Sequence, residues 1–354
     1  MAYTDIDDPT AYFQTTLYAG DGNGSGQAIT HGGNSDLQAD FIWIKNRTDA
    51  DNHSLTDSVR GANKGILSNS SDAESTDNSN GYLSSFNSDG FTTANAGVYN
   101  NANAKNYVSW NWKAGTSFTN DASGTGIGSI DSAGSFNNDS GFSIVSYTGT
   151  GSAGTIKHGL NSVPSMIIIK VLTNTANDWV VYHQATGNNK STFLNGTNAV
   201  SSNAFMNNTT PTSSVFSVDG SNYSSGSSRN YIAYCFAEKQ GYSKFGSYTG
   251  NGNADGTFVY TGFKPAFIMV KRSNGVENWT IMDNTRDPFN VAGNKLHPNT
   301  TGGTDAGATI DILSNGFKNR TTNAGANGSG DSYIFYAIAE NPFVTSTGVP
   351  ATAR

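Results

Sequence analysis

The chain has 354 residues, of which 13% are charged, 11% are aromatic and 41 are glycine, and its formal net charge is −7. A charged share about half the usual quarter argues against exposed helices stabilised by ion pairs and favours turn-rich all-β structure. The acidic balance and the scattered Lys and Arg residues exclude nucleic-acid binding that depends on phosphate neutralisation.

Residues 1–14 precede the first repeated motif and are predicted to form a short N-terminal arm. The aromatic pair Tyr12-Phe13 is expected to dock on a neighbour, because such pairs are seldom left exposed at a terminus. Packing on the arm's own unit is the alternative. The arm lacks the basic and apolar regions of a signal peptide, and no apolar run approaches the length of a membrane span. We therefore expect assembly in a cytoplasm, without membrane insertion.

After the arm, three sets of sequence landmarks recur in the same order, which indicates an internal repeat. The opening motifs are Tyr18-Ala-Gly-Asp-Gly22, Tyr147-Thr-Gly-Thr-Gly151 and Tyr248-Thr-Gly-Asn-Gly252. An apolar strand ending in lysine follows at 41–45, 166–170 and 267–271, and an aromatic strand closes each repeat at 107–112, 231–236 and 333–338. Between these two strands, the second repeat carries Trp179 and the third carries Trp279. The first repeat has no tryptophan at this place and must fill its core differently.

Short alternating strands separated by Gly, Ser and Asn clusters predict an all-β chain of three tandem antiparallel β-sandwich modules of jelly-roll-like type. A barrel in each module is the alternative. The predicted modules span 15–113, 142–242 and 243–345, with a C-terminal tail at 346–354. The lysine-ending strands should lie centrally, covered on both faces, because they are apolar throughout.

The extra length between the first two modules falls at residues 114–141, a segment rich in Gly, Ser, Asn and Asp. Its low apolar content predicts a linker. The second and third modules are joined only by a short connector at 238–245. We therefore expect these two to be rigidly coupled, with the first module on a looser tether.

Two charged pairs are the candidate ligand-binding groups. Asp57 precedes Arg60, and Asp283 precedes Arg286, by a spacing that permits a charged pair at a strand end or turn. Structural pairing and ligand binding both remain open, although the second repeat has lost both charges while keeping the rest of its pattern. Trp279 either packs in the core or offers its ring to a sugar. The predicted ligand-binding set is thus Trp279, Asp283, Arg286, Asp57 and Arg60.

The titratable residues give no catalytic or metal signature. The acidic residues lie mostly in turns, with no spacing that selects the carboxylate pair of a glycosidase. The five histidines lack ligand or triad spacing, and Cys235, the single cysteine, is expected to be a small buried side chain. No catalytic residue, metal site or cofactor is predicted, and the protein is not expected to be an enzyme.

The order of landmarks, and above all the block Gly241–Gly252 (GYSKFGSYTGNG), resembles a repeat family of uncharacterised structural proteins in marine tailed phages, including cyanophages and pelagiphages. The resemblance extends over residues 12–343. It implies a virion protein displayed on the particle, such as a tail fibre or surface appendage used in host attachment. A capsid decoration or collar and adaptor protein is the alternative, and a polysaccharide depolymerase is a third hypothesis.

The expected partners are other virion proteins, bound through the N-terminal arm, and a host surface glycan. Asn, Ser, Thr and Tyr side chains on loops supply hydrogen-bonding groups that suit a glycan. The edge strands of three sandwiches must be covered or paired, which predicts a homo-oligomer.

Overall fold

The computed structural model describes residues 3–173, 177–307 and 309–351. Strands account for 42% of the structure and helices for 3%, and the sheets are antiparallel. The predicted all-β antiparallel class is therefore confirmed. Short helical turns occur at Pro9–Ala11 and Asn78–Asn80.

The first part of the chain forms one large and one small sheet. Its strands are β1 (Phe13–Ala19), β2 (Ala28–Ile29), β3 (Phe41–Asn46), β4 (Ser54–Asp57), β5 (Ile66–Leu67), β6 (Leu83–Asn87), β7 (Gly90–Thr93) and β8 (Asn106–Trp112). The first main sheet has the order β1-β8-β3-β4-β5, and the first small sheet has the order β2-β7-β6. Ile42 and Ile44 of the main sheet pack with Ile29 and Phe91 of the small sheet.

The middle of the chain contains the short helix α1 (Ala122–Thr125) and ten strands. These are β9 (Thr116–Asn120), β10 (Ser132–Asn137), β11 (Phe142–Thr148), β12 (Gly154–Lys157), β13 (Pro164–Val171), β14 (Val180–His183), β15 (Lys190–Phe193), β16 (Ser201–Ser202), β17 (Val215–Val218) and β18 (Asn230–Ala237). The second main sheet runs β16-β15-β14-β13-β18-β11-β10-β9, and β12 pairs with β17 in the second small sheet. Ile167 and Phe216 lie in the core between them, as does the buried Cys235.

The last part of the chain repeats this arrangement with seven strands. They are β19 (Ser243–Thr249), β20 (Phe258–Tyr260), β21 (Phe263–Arg272), β22 (Trp279–Asp283), β23 (Ile310–Leu313), β24 (Gly316–Asn319) and β25 (Ser332–Pro342). The third main sheet runs β19-β25-β21-β22, and the third small sheet runs β20-β24-β23. Ile268 and Phe317 belong to the core between these sheets.

Each lysine-ending strand lies inside its main sheet and is buried along both faces, as predicted. Successive side chains of a strand point to opposite faces, so each such strand lines two cores. In β3, Ile42 faces the small sheet, while Phe41 and Trp43 face the opposite way. A core between two sheets is sandwich packing rather than a barrel.

Each main sheet has a second face, turned away from its small sheet. These three faces enclose one common apolar core, called here the central core. Phe41 stacks on Tyr234 of the second main sheet with 4.3 Å between ring centroids. Trp112 contacts Phe267 of the third main sheet at 5.8 Å. The expectation of a loosely tethered first module is wrong, because its main sheet packs on both of the others.

Residues 114–141 are not a linker. β10 pairs with both β9 and β11, so the segment extends the second main sheet by two strands. Phe118 and Phe136 contact each other at 6.0 Å and pack against the core of that sandwich. An edge of a sheet needs few apolar side chains, which is why a composition poor in them was compatible with strands.

The N-terminal arm packs on its own chain. Tyr3 Oη donates to the carbonyl oxygen of Gly262 at 2.6 Å, and Thr4 Oγ1 donates to that of Gln240 at 2.9 Å. Ile6 and Phe13 enter the central core. The arm thereby holds the beginning of the chain to the third main sheet and to the connector that precedes it.

Candidate functional site

Asp57 and Arg60 form a buried ion pair at the end of β4. Arg60 Nε lies 2.6 Å from Asp57 Oδ2, and the two side chains are 3% and 0% exposed. Asp57 Oδ2 also accepts a hydrogen bond from Tyr234 Oη at 2.7 Å. The pair therefore joins the first main sheet to the second.

Asp283 and Arg286 form the equivalent pair at the end of β22. Arg286 Nε lies 2.6 Å from Asp283 Oδ2, and both side chains are fully buried. Trp110 Nε1 donates to the same carboxylate oxygen at 3.0 Å. Arg286 also donates to the carbonyl oxygens of Ile281 and Asn294. This pair joins the third main sheet to the first.

His183 takes the corresponding place at the end of β14. Its Nε2 lies 3.1 Å from the carbonyl oxygen of Phe335, and its Nδ1 accepts a hydrogen bond from the backbone N–H of Ala185. Nε2 therefore carries the hydrogen, and burial lowers the pKa of His183 to about 4. A neutral imidazole thus joins the second main sheet to the third, where the other repeats use an ion pair.

The buried lysines make a second set of contacts between sheets. The Nζ atoms of Lys45, Lys170 and Lys271 donate to the carbonyl oxygens of Thr301, Ser71 and Thr197, at 2.9, 2.8 and 3.1 Å. Each acceptor lies in a loop that follows a strand of another main sheet: Thr301 follows β22, Ser71 follows β5 and Thr197 follows β15. Burial lowers the pKa of each lysine to about 8.

Trp279 belongs to the interior and cannot stack on a sugar, since it is 1% exposed and its Nε1 donates to the carbonyl oxygen of Phe193 at 2.9 Å. Trp179 makes the equivalent contact with Leu67 at 3.0 Å. In the first repeat the position is filled by buried His53, whose Nδ1 accepts from Trp43 Nε1 at 2.9 Å. The indoles of Trp179 and Trp279 therefore pack in the interior and donate hydrogen bonds to a segment of another main sheet.

The proposed ligand-binding role of Trp279, Asp283, Arg286 and Asp57 is therefore corrected. All four are buried and hydrogen-bonded within the chain. Arg60 is also buried, with a side chain 3% exposed, but it differs in being one of the residues that line a cleft between the first and second main sheets. Only one of the five predicted residues thus borders a space that a ligand can enter.

This cleft, called here the Arg60 cleft, has a volume of about 580 Å³. One wall carries Arg60, Lys64 and Glu74, with Glu74 Oε2 at 3.2 Å from Arg60 Nη1 and Glu74 Oε1 at 3.6 Å from Lys64 Nζ. The opposite wall carries Asp121 and Asp131. These two aspartates belong to the segment interpreted as a linker, and no sequence pattern pointed to the cleft.

The Arg60 cleft offers hydrogen-bonding groups of several kinds beside an apolar surface of comparable extent. Ser146, Thr148 and Asn230 line it together with the charged side chains, and Val59 and Leu172 supply the apolar part. Mixed donors and acceptors of this kind suit the hydroxyl groups of a glycan. Among the described residues, no group of three or more His, Cys, Asp or Glu side chains could hold a metal ion.

In the part of the chain that the structure describes, no helix is long and apolar enough to cross a membrane. Residues 8–342 match the model of a family described as a domain of unknown function, DUF7483. No curated protein and no solved structure matches the chain.

Proposed function

The chain belongs to the DUF7483 family, whose model covers residues 8–342, and we propose that it is a virion structural protein of a tailed phage, displayed on the particle and used in host attachment. The resemblance of its repeats to marine phage structural proteins supports the virion setting. Tail fibre or surface appendage is the location that this proposal favours.

The observation that carries the proposal is the closed arrangement of three main sheets around one core. Each sheet is bonded to both of the others through Asp57, His183 and Asp283. Such a block holds its surface clefts in fixed geometry without needing a moving part. Rigid presentation of a binding surface suits attachment, since preorganised sites lose less entropy on binding.

We assign attachment to the Arg60 cleft, with a host surface glycan as the ligand. The cleft is of ordinary size for a small-molecule site, which is about 300–1,000 Å³. Its charged and hydroxyl groups would bond to sugar hydroxyls, and the proposal includes neither an enzymatic reaction nor a cofactor.

The virion assignment is tested on purified particles. Mass spectrometry should find the protein in them, and antibody-labelled electron microscopy should place it on the surface. Its absence from purified particles would reject the virion proposal whatever the protein binds.

The glycan assignment is tested by calorimetry with isolated host surface polysaccharide. The variant Lys64→Ala, combined with Asp131→Asn, should lose at least tenfold in affinity while Lys105→Ala, which removes an exposed lysine paired with Asp49, should not. Equal affinity of all three proteins would reject the cleft. Release of new reducing ends from the polysaccharide would instead favour a depolymerase.

A capsid decoration or collar protein is the second candidate. It is favoured by the N-terminal arm, which lies on the surface of the block of three main sheets and presents the exposed carboxylate of Asp5. The arm would then contact other virion proteins through the exposed side chain of Asp5, while Thr4 and Ile6 point inward and Asp7 accepts hydrogen bonds from Ser346. Replacing Asp5 with alanine should lower incorporation into particles without changing the stability of the isolated protein.

A further inference from the structure

The three small sheets have equivalent first strands, and each such strand lies at a sheet edge. In β2, β12 and β20, a buried residue faces a phenylalanine across the strand pair: Ile29 with Phe91, Ile156 with Phe216, and Val259 with Phe317. The residues on either side of the buried position point to the outer surface. The three edges can therefore be compared position by position.

In the second small sheet, another segment of the chain covers this edge. The backbone N–H groups of Ser129 and Ile130 both donate to the carbonyl oxygen of Thr155, at 2.8 and 3.1 Å. Ser129 Oγ accepts from the N–H of Thr155 at 2.9 Å, and Ile130 forms a β-bridge with Ile156. The edge of β12 is thus occupied by extended backbone.

In the third small sheet, β24 borders β20 on one side, and no other described strand of that sheet borders it. The N–H of Asn319 donates to Thr257, and that of Thr261 donates to Asn315. Along an antiparallel strand, the N–H and C=O groups of every second residue point to the same side. Those of Val259 therefore face β24, as those of Thr257 and Thr261 do. The N–H and C=O groups of Phe258 and Tyr260 therefore point to the open edge.

The side chains beside this edge are also unusual for an open edge. Phe258 is 44% exposed and Tyr260 is 54% exposed. The first small sheet has Ala28 and Thr30 at these positions, and the second has Thr155 and Lys157. Open edges are normally protected by charges, prolines or short strands. β20 is short, with three residues, but it carries neither a charge nor a proline and exposes two aromatic rings, which favour association.

We propose that β20 pairs with β20 of a second copy of this chain, antiparallel, about a twofold axis at Val259. Phe258 then lies opposite the partner's Tyr260, and Tyr260 lies opposite the partner's Phe258. Both rings of each copy gain an aromatic cross-strand neighbour, and the two three-stranded sheets become one six-stranded sheet. The contact is independent of the proposed attachment function.

Charge does not oppose this pairing. Asp255, which precedes β20, lies 2.5 Å from Lys318 Nζ and 3.4 Å from Arg320 Nη1. A glycan is the competing occupant, since Tyr260 also borders a cavity of about 300 Å³ with Glu238 and Lys244. A sugar on the ring faces would leave the edge backbone groups to water, whereas a second strand pairs them.

The test uses cysteine variants of the full chain. Phe258→Cys protein mixed with Tyr260→Cys protein should form a disulfide-linked dimer on mild oxidation, because the two positions are opposite in this register. Phe258→Cys protein alone should cross-link much less. An Ala28→Cys and Thr30→Cys mixture is the matched control at the equivalent edge, and buried Cys235 is common to all samples.

Sedimentation velocity of the unmodified chain supplies the second measurement. The wild-type protein should shift from monomer to dimer as its concentration rises, and Tyr260→Lys should shift that transition at least tenfold upward. A wild-type protein that stays monomeric, or a mixed cross-link no stronger than the control, would overturn the proposal. So would a monomer whose glycan binding is lost in Tyr260→Ala.

Discussion

Trp110 Nε1 donates a hydrogen bond to Asp283 Oδ2 at 3.0 Å, and this contact closes the circle of main sheets. The two residues are far apart in the chain, on the first and third main sheets. Asp57 with Tyr234, and His183 with Phe335, make the other two contacts in cyclic order. The buried charges found in two of the three positions are thus parts of interfaces between sheets.

Replacing Asp283 with alanine should destabilise the protein by about 3–5 kcal/mol, because it leaves Arg286 buried without its counter-charge. Urea unfolding measures the change. The double variant Asp283→Leu, Arg286→Met should cost less than the single one, since it leaves no uncompensated charge. Replacing Asp49, whose pair with Lys105 is exposed, should cost about 1 kcal/mol or less. Equal losses for Asp283 and Asp49 would contradict the structural role.

Stability should fall as the pH drops from about 6.5 to about 4. Burial lowers the pKa of His31, His158 and His183 to about 4, whereas an unfolded histidine titrates near pH 6.5. Within this range the unfolded chain binds more protons, so protonation favours unfolding, by about 1.4 kcal/mol per pH unit for each histidine. Urea midpoints measured across this range check the prediction, and His183→Gln should flatten the dependence.

At alkaline pH, stability should first rise and then fall. The folded-state pKa of Lys45, Lys170 and Lys271 is about 8, and the unfolded value is about 10.4, so the unfolded state binds more protons between these values. Burial raises the pKa of Tyr234 and Tyr336, and unfolded tyrosines lose protons near pH 10. A maximum between about pH 8 and 10 is expected in urea titrations, and a steady decline from pH 8 would contradict it.

Trp279→Phe should lower the free energy of unfolding by about 1–3 kcal/mol, because it removes a buried hydrogen bond to the carbonyl oxygen of Phe193, which keeps that from Gly196 N–H, and leaves a void where the larger indole packed. Polysaccharide affinity should not change, since the ring is buried. Circular dichroism and calorimetry on the same preparation separate the two effects. A selective loss of glycan affinity at full stability would restore the sugar-stacking interpretation.

Much of the strand arrangement could be predicted from the sequence. The apolar runs ending at Lys45, Lys170 and Lys271 indicated strands covered on both faces, and they are. The pattern could not show that the second face of each strand is covered by another main sheet. A buried face is apolar whichever element covers it. The central core was therefore missed.

The site was harder to predict for a related reason. Asp57-Arg60 and Asp283-Arg286 have the same spacing and the same paired geometry. Only Arg60 borders the large cleft, because β9 and β10 add a wall beside the first pair. That wall consists largely of Ser, Thr, Asn and Gly, residues whose local pattern is typical of loops as much as of edge strands.

The cyclic contacts also bear on how the protein withstands proteolysis. A protease that cuts an exposed turn, such as residues 251–255 between β19 and β20, breaks the covalent chain at one point. β19, before the cut, remains paired with β25, after it, and the three main sheets remain packed around the central core. A nicked molecule would therefore keep both fragments.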